Sequence, residues 1–166
     1  MWTILAFSAG VAAGSAGTDV VGFDPVITEH CLTVMADSQN PRSCVGASAN
    51  HCMETTEGGW STRGMSQCLD QELQYWDARL NAAYGKVRTM RKASDKELRD
   101  LGSAAPSQAD ALLAMQRAWI VYRDAACTYE RSHWGGGTGG GPATVSCLMY
   151  MTAEQALFLE ADASVE

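Results

Sequence analysis

The clearest hydrophobic pattern in the chain joins Met65, Leu69, Leu73, Trp76, Leu80, Ala83, Val87 and Met90, which advance by steps of three or four residues. That spacing puts all eight on one face of a helix, and Arg88, Arg91 and Lys92 suit its C-terminal end. A helix of about 27 residues would extend about 40 Å and be the longest beam of the fold. A second row, Leu112, Met115, Trp119, Tyr122 and Ala126, with Leu113, Ile120 and Cys127 beside it, predicts another long helix with a wide buried face. Arg117, Arg123 and Asp124 interrupt that pattern. Charges beside a buried face must pair or reach water, or they cost several kcal/mol.

The remaining segments are shorter. Pro25 opens a helix that carries Val26, Ile27, Cys31, Val34 and Met35, and residues 38–41, Ser-Gln-Asn-Pro, break it. Cys44, Val45, Ala49 and Cys52 predict a second short helix, closed by a turn at Thr55, Thr56, Gly58 and Gly59. Ser61 and Thr62 are available to cap the long helix. Residues 94–101 read as a separate short turn of helix, and Pro106 and Ser107 reset the chain. Residues 134–142, Trp-Gly-Gly-Gly-Thr-Gly-Gly-Gly-Pro, predict a flexible loop before a last helix over 144–161 with Val145, Leu148, Met151, Ala156, Leu157 and Leu159. No alternating β-branched run calls for a sheet. The fold class is all-α, a small disulfide-stapled helical bundle with one long central helix.

Composition adds the compartment. A chain of 166 residues that is 46% hydrophobic suits one packed domain. Residues 1–17 carry no charge and run from an apolar stretch into Gly14, Ser15, Ala16 and Gly17, which reads as a secretory signal peptide. Residues 18–43 then form an N-terminal extension with a short helix, and residues 44–162 the main helical domain. Six cysteines in an exported chain imply a disulfide framework, with fifteen possible pairings. Nearest neighbours along the chain are favoured: Cys31 with Cys44, Cys52 with Cys68, and Cys127 with Cys147, while crossed pairing among the first four stays open. Each bridge would contribute on the order of 3 kcal/mol. The formal charge of −7 disfavours nucleic acid and anionic membranes as partners and favours cationic ones. No stable membrane insertion is expected after signal cleavage.

Chemistry offers fewer leads. His30 adjoins Cys31 and His51 adjoins Cys52, but zinc sites draw on tight cysteine pairs that are missing here, so neither a metal nor another cofactor is expected. There is no Gly-x-Ser-x-Gly or His-Glu-x-x-His, and the glycine run lacks the Lys-Ser/Thr ending of a phosphate loop, so no catalytic residue is assigned. Arg117 or Arg123 is expected to pair with Asp77 or Glu72 on the long helix and fix its register, with Asp124 beside them and Trp76 and Trp119 as core anchors. The alternative places Arg123 and Asp124 on a ligand surface. The candidate partner-binding loop is His133, Trp134, Gly135, Gly136, Gly137 and Thr138, where an aromatic anchor adjoins a backbone open to close approach.

Taken together, Met65-Ser-Gln-Cys68, Glu72, Trp76-Asp77, Leu80-Asn81, Tyr84, Gln116-Arg-Ala-Trp119, Tyr122-Arg-Asp124, Cys127, Cys147, Leu148 and Thr152 resemble the lysozyme inhibitor LprI-like family. The likeness covers about residues 44–160. It implies a small secreted helical module, in the periplasm of a Gram-negative bacterium, whose partner is lysozyme or another cationic protein. The family contributes no catalytic residues. A structural or envelope-interaction module without lysozyme inhibition is the alternative reading.

Overall fold

The computed structural model describes residues 22–35 and 40–164, so the segment expected to be a signal peptide, residues 1–17, lies outside it. In chain order the described elements are α1 (Val26–Met35), a 3-10 turn (Pro41–Cys44), α2 (Ala47–Thr55), α3 (Thr62–Asp100), α4 (Gln108–Ser132) and α5 (Gly140–Ser164). No strand forms among these residues.

The Ser61 side chain caps α3 by accepting the Gly64 N–H at 3.0 Å. The helix then runs for 39 residues, about 58 Å, rather than stopping near Lys92. Residues 93–100 contain neither Gly nor Pro, and the Lys96–Asp100 pair spans one further turn at 2.6 Å. The segment expected to be separate is therefore the last part of α3, and the first residue able to end it is Gly102, at φ +75°.

Trp76, Leu80 and Val87 of α3 lie buried against Met149, Ala153, Ala156 and Leu159 of α5, and these two helices form the main contact of the fold. This leaves less for α4 to cover than its sequence predicted. Only Ala109, Leu112 and Cys127 of α4 are buried, Trp119 is half-buried, and Tyr122 is exposed. The wide buried face expected there is thus a narrow edge, because α5 already occupies the groove along α3.

The N-terminal helices are attached by a buried carboxylate. Glu72 is fully enclosed and accepts the backbone N–H groups of Gly46 and Ala49, each at 2.7 Å, and the Trp76 indole N–H at 3.0 Å. Gly46 is the N-cap of α2, stands at φ +92°, and supplies no side-chain cap of its own. Glu72 is that cap, reaching across from α3 to a helix end that favours negative charge. Around it, Thr28 of α1 donates its backbone N–H to Ser48 at 3.0 Å, and Ser48 donates its hydroxyl to the Asp24 carbonyl at 2.7 Å. Every buried side-chain polar atom among the described residues has a partner. The bridges Cys31–Cys44 and Cys52–Cys68 fasten the same region to itself and to α3.

The far end of α3 repeats the device. Asp95, 5% exposed, accepts the Ser107 hydroxyl and the Gln108 N–H at 2.7 Å and the Ala109 N–H at 3.0 Å, so it caps α4 together with Ser107. These donors, the Ala109 N–H first, then Ser107 and Gln108, hold its carboxyl below the ordinary range.

Two outcomes are expected. Glu72→Gln keeps the shape but turns an amide NH₂ toward backbone donors, and should lower stability in urea unfolding by about 2–4 kcal/mol. Asp95→Asn should be less stable than wild type at neutral pH. Because the folded-state carboxyl is depressed, its contribution is present above the unfolded value of about 4 and disappears as pH falls through the folded one. Melting curves of the two proteins should therefore converge in acid; a gap of constant size would exclude the charge from the cap.

Candidate functional site

The glycine-rich segment joins α4 to α5 at the exposed tip of a helical hairpin. Helix α5 begins at Gly140, not near Thr144, because Pro142 fits a first helical turn that needs no donors, and Thr144 closes it on the Gly140 carbonyl at 2.7 Å. The connection therefore shrinks to residues 133–139. These form successive turns rather than an open loop: the His133 N–H donates to the Glu130 carbonyl, the Trp134 N–H to Arg131, and the Gly137 N–H to Trp134 at 2.9 Å. The Trp134 ring folds back over Gly139, where a Cβ would stand 2.4 Å from it, so any side chain at 139 would displace the ring from this position. Trp134 remains 48% exposed, and nothing lies near the open sides of Gly135 and Gly136.

Below the tip, Cys127 and Cys147 are bridged, with Cα atoms 5.5 Å apart. Trp134, Glu130, Cys147 and Tyr150 line a shallow depression of about 450 Å³. Tyr129 packs edge-on against the His133 ring at 4.5 Å, and His133 Nδ1 lies 3.5 Å from Glu130. The aromatic groups at the tip are thus backed by a covalent anchor and by the helix ends.

A second feature is an open groove of about 530 Å³ between α3, α4 and α5, with Leu73, Ala78 and Leu148 as apolar lining and Asp77, Asn81 and Arg123 as polar lining. The expected ion pair from Arg117 or Arg123 to Asp77 or Glu72 does not form. Glu72 is occupied by backbone donors, and Asp77 accepts the Asn81 amide at 2.9 Å. Arg123 instead donates twice to Asp124 Oδ1, at 3.0 and 2.8 Å, and its guanidinium lies 5.0 Å from the Trp119 ring centre. The structure brings Asp77 and Arg123 to the same groove but not into contact as a pair. Trp76 lies fully in the core, whereas Trp119 is only half-buried beneath Arg123.

The interhelical ion pairs lie elsewhere. Arg79 donates from Nε and Nη2 to the two oxygens of Glu160 on α5, both at 2.8 Å, and from Nη1 to the Tyr75 hydroxyl at 2.7 Å. Burial opposes the charge on Arg79, yet the bonds to Glu160 and Tyr75 outweigh it and raise its pKa. Burial likewise raises the Tyr75 hydroxyl, against the effect of Arg79. Arg91 pairs with Asp162 further along the same two helices. Tyr75 and Arg79 are one turn apart and could be matched from the sequence; the partner on α5 could not.

The cysteines beside His30 and His51 are held in disulfides, and no group of three or more His, Cys, Asp or Glu suited to a metal occurs among the described residues. What the tip and the groove offer is non-covalent recognition: an aromatic anchor, an accessible backbone and one oriented guanidinium.

The family described as lysozyme inhibitor LprI matches residues 52–159. An uncharacterized protein of Rhizobium meliloti (strain 1021) is 31% identical over 125 residues, 75% of this chain and 82% of its own length. An uncharacterized 17.7 kDa protein from the puhA 5′ region of Rhodobacter capsulatus is 26% identical over 137 residues, 82% of this chain and 84% of its own. No solved structure matches the chain.

Proposed function

Because the chain belongs to the lysozyme inhibitor LprI family, we propose that it is a secreted, periplasmic binding protein that inhibits lysozyme-type muramidases, and that residues 133–139 enter the enzyme. The observation that carries this reading is the family match itself, which spans the whole turn and both cysteines beneath it. Three disulfides require an oxidising compartment to form and persist, in keeping with export by the leader at residues 1–17. No helix among the described residues is long and apolar enough to cross a membrane.

The mechanism is steric. A chain of net charge −7 is steered toward a cationic enzyme and slowed by added salt. On contact, Trp134 acts as the anchor, while Gly135 and Gly136 let the backbone approach the cleft. Because the turn is already hydrogen-bonded and stapled at its base, little ordering is left to oppose binding. The open groove at Asp77 and Arg123 favours the second reading, a structural or envelope-interaction module that uses this surface for another partner without inhibition.

The oxidised protein should inhibit cell-wall hydrolysis by cationic lysozymes at micromolar concentration. Trp134→Ala should weaken inhibition by about tenfold or more, deletion of residues 135–139 should abolish it, and added salt should reduce it. Absence of inhibition at micromolar excess would leave the envelope module, and full inhibition by both variants would exclude the tip.

A further inference from the structure

We infer that a second copy of this chain packs antiparallel along the outer face of α4. Ala111, Ala114, Ala118, Val121, Ala125 and Thr128 recur there at alternating steps of three and four residues, and all six are exposed. Val121 is 70% exposed, and Tyr122 and Tyr129 beside this row are 66% and 68% exposed. The fold does not use this face, since α4 meets its own chain through Ala109, Leu112 and Cys127 on the opposite side. An isolated surface helix carries polar residues where α4 carries this row. The spacing is that of a two-helix seam, and its small side chains permit axes about 8 Å apart.

The charges beside the row identify the occupant. Asp110, Arg117, Asp124 and Arg131 follow one another at intervals of seven residues, with alternating sign, along one edge of the row, and all are exposed. Among the described residues, Asp110, Arg117 and Arg131 form no ion pair within the chain. Both bonds from Arg123 fall on Asp124 Oδ1, which leaves Oδ2 for an outside donor. In a parallel pair this edge would lie against the tyrosine edge, without complementarity. In an antiparallel pair it meets its own copy: Asp110 faces the partner's Arg131 and Arg117 faces the partner's Asp124, and two-fold symmetry repeats both contacts. The same register sets Ala118 against the partner's Val121 and Ala114 against the partner's Ala125. Apolar row and charged edge thus select a single offset, and the edge is itself neutral despite the acidity of the chain.

A contact between two helices along about 26 Å is near the lower size limit for a stable interface, so the dimer should form in the micromolar range. Sedimentation equilibrium of the full oxidised chain should show a reversible monomer–dimer system. R117E sets like charges opposite one another twice and should raise the dissociation constant by about tenfold or more, as should V121E by placing a charge in the seam. The double variant R117E/D124R reverses both members of the pair and should restore dimerisation to within about threefold of wild type. Helix content from circular dichroism should stay unchanged throughout, because these side chains are exposed; V121E supplies the reading if R117E disturbs the fold. A protein still monomeric at about 100 µM would leave the face to some other partner and overturn the inference. So would a dimer indifferent to R117E and V121E, or one that the double variant fails to restore. None of these outcomes depends on lysozyme.

Discussion

The Glu72 carboxylate is the constraint on which the rest of the arrangement depends. A buried acid without partners would cost several kcal/mol, and this one is offset by two backbone N–H donors and an indole N–H. Its position has two consequences. It fixes where α2 starts relative to α3, since Gly46 and Ala49 must stand beside it. It also orients Trp76, the largest fully buried side chain, from one turn further along the same helix. Asp95 does the same for α4 at the other end, so α3 positions both neighbours through carboxylates aimed at helix N-termini.

The long helix was legible because its apolar steps are regular over eight positions, and the fold class followed. Its true end was not, because residues 93–100 lack an apolar repeat while containing nothing that stops a helix. The start of α5 was missed for the opposite reason: Gly140, Gly141 and Pro142 read as breakers, yet a first turn tolerates them. Sequential bridging of the cysteines was the favoured pairing, and the structure carries those three bridges. The role of Glu72 could not be read from the chain. An acid on a long helix reads as an ion-pair partner for Arg117 or Arg123, whereas its actual donors are backbone groups 23 and 26 residues away. The misplaced ion pair at Arg123 has a similar origin, since composition shows that a charge needs a partner but not which one is free.

The burial pattern separates three surfaces. The α3–α5 contact is closed and held by Arg79–Glu160 and Arg91–Asp162. The outer face of α4, along Ala111, Ala114, Ala118, Val121, Ala125 and Thr128, is open and edged by charges of alternating sign. The tip at residues 133–139 is open too, but braced by Trp134, by its turns and by the Cys127–Cys147 bridge. The stretch over 116–127 is therefore scaffold on one side and free surface on the other, and its contribution to the tip is Cys127. Holding a short glycine turn on two stapled helices leaves its backbone accessible without being unstructured.

The most direct test of this division is amide hydrogen exchange on the oxidised protein, alone and mixed with a cationic lysozyme. Added protection confined to residues 133–139 and the adjoining helix ends is the predicted result, with α3 slow to exchange in both samples. Protection appearing instead along the groove of Asp77 and Arg123, or no change anywhere at saturating enzyme, would contradict the account.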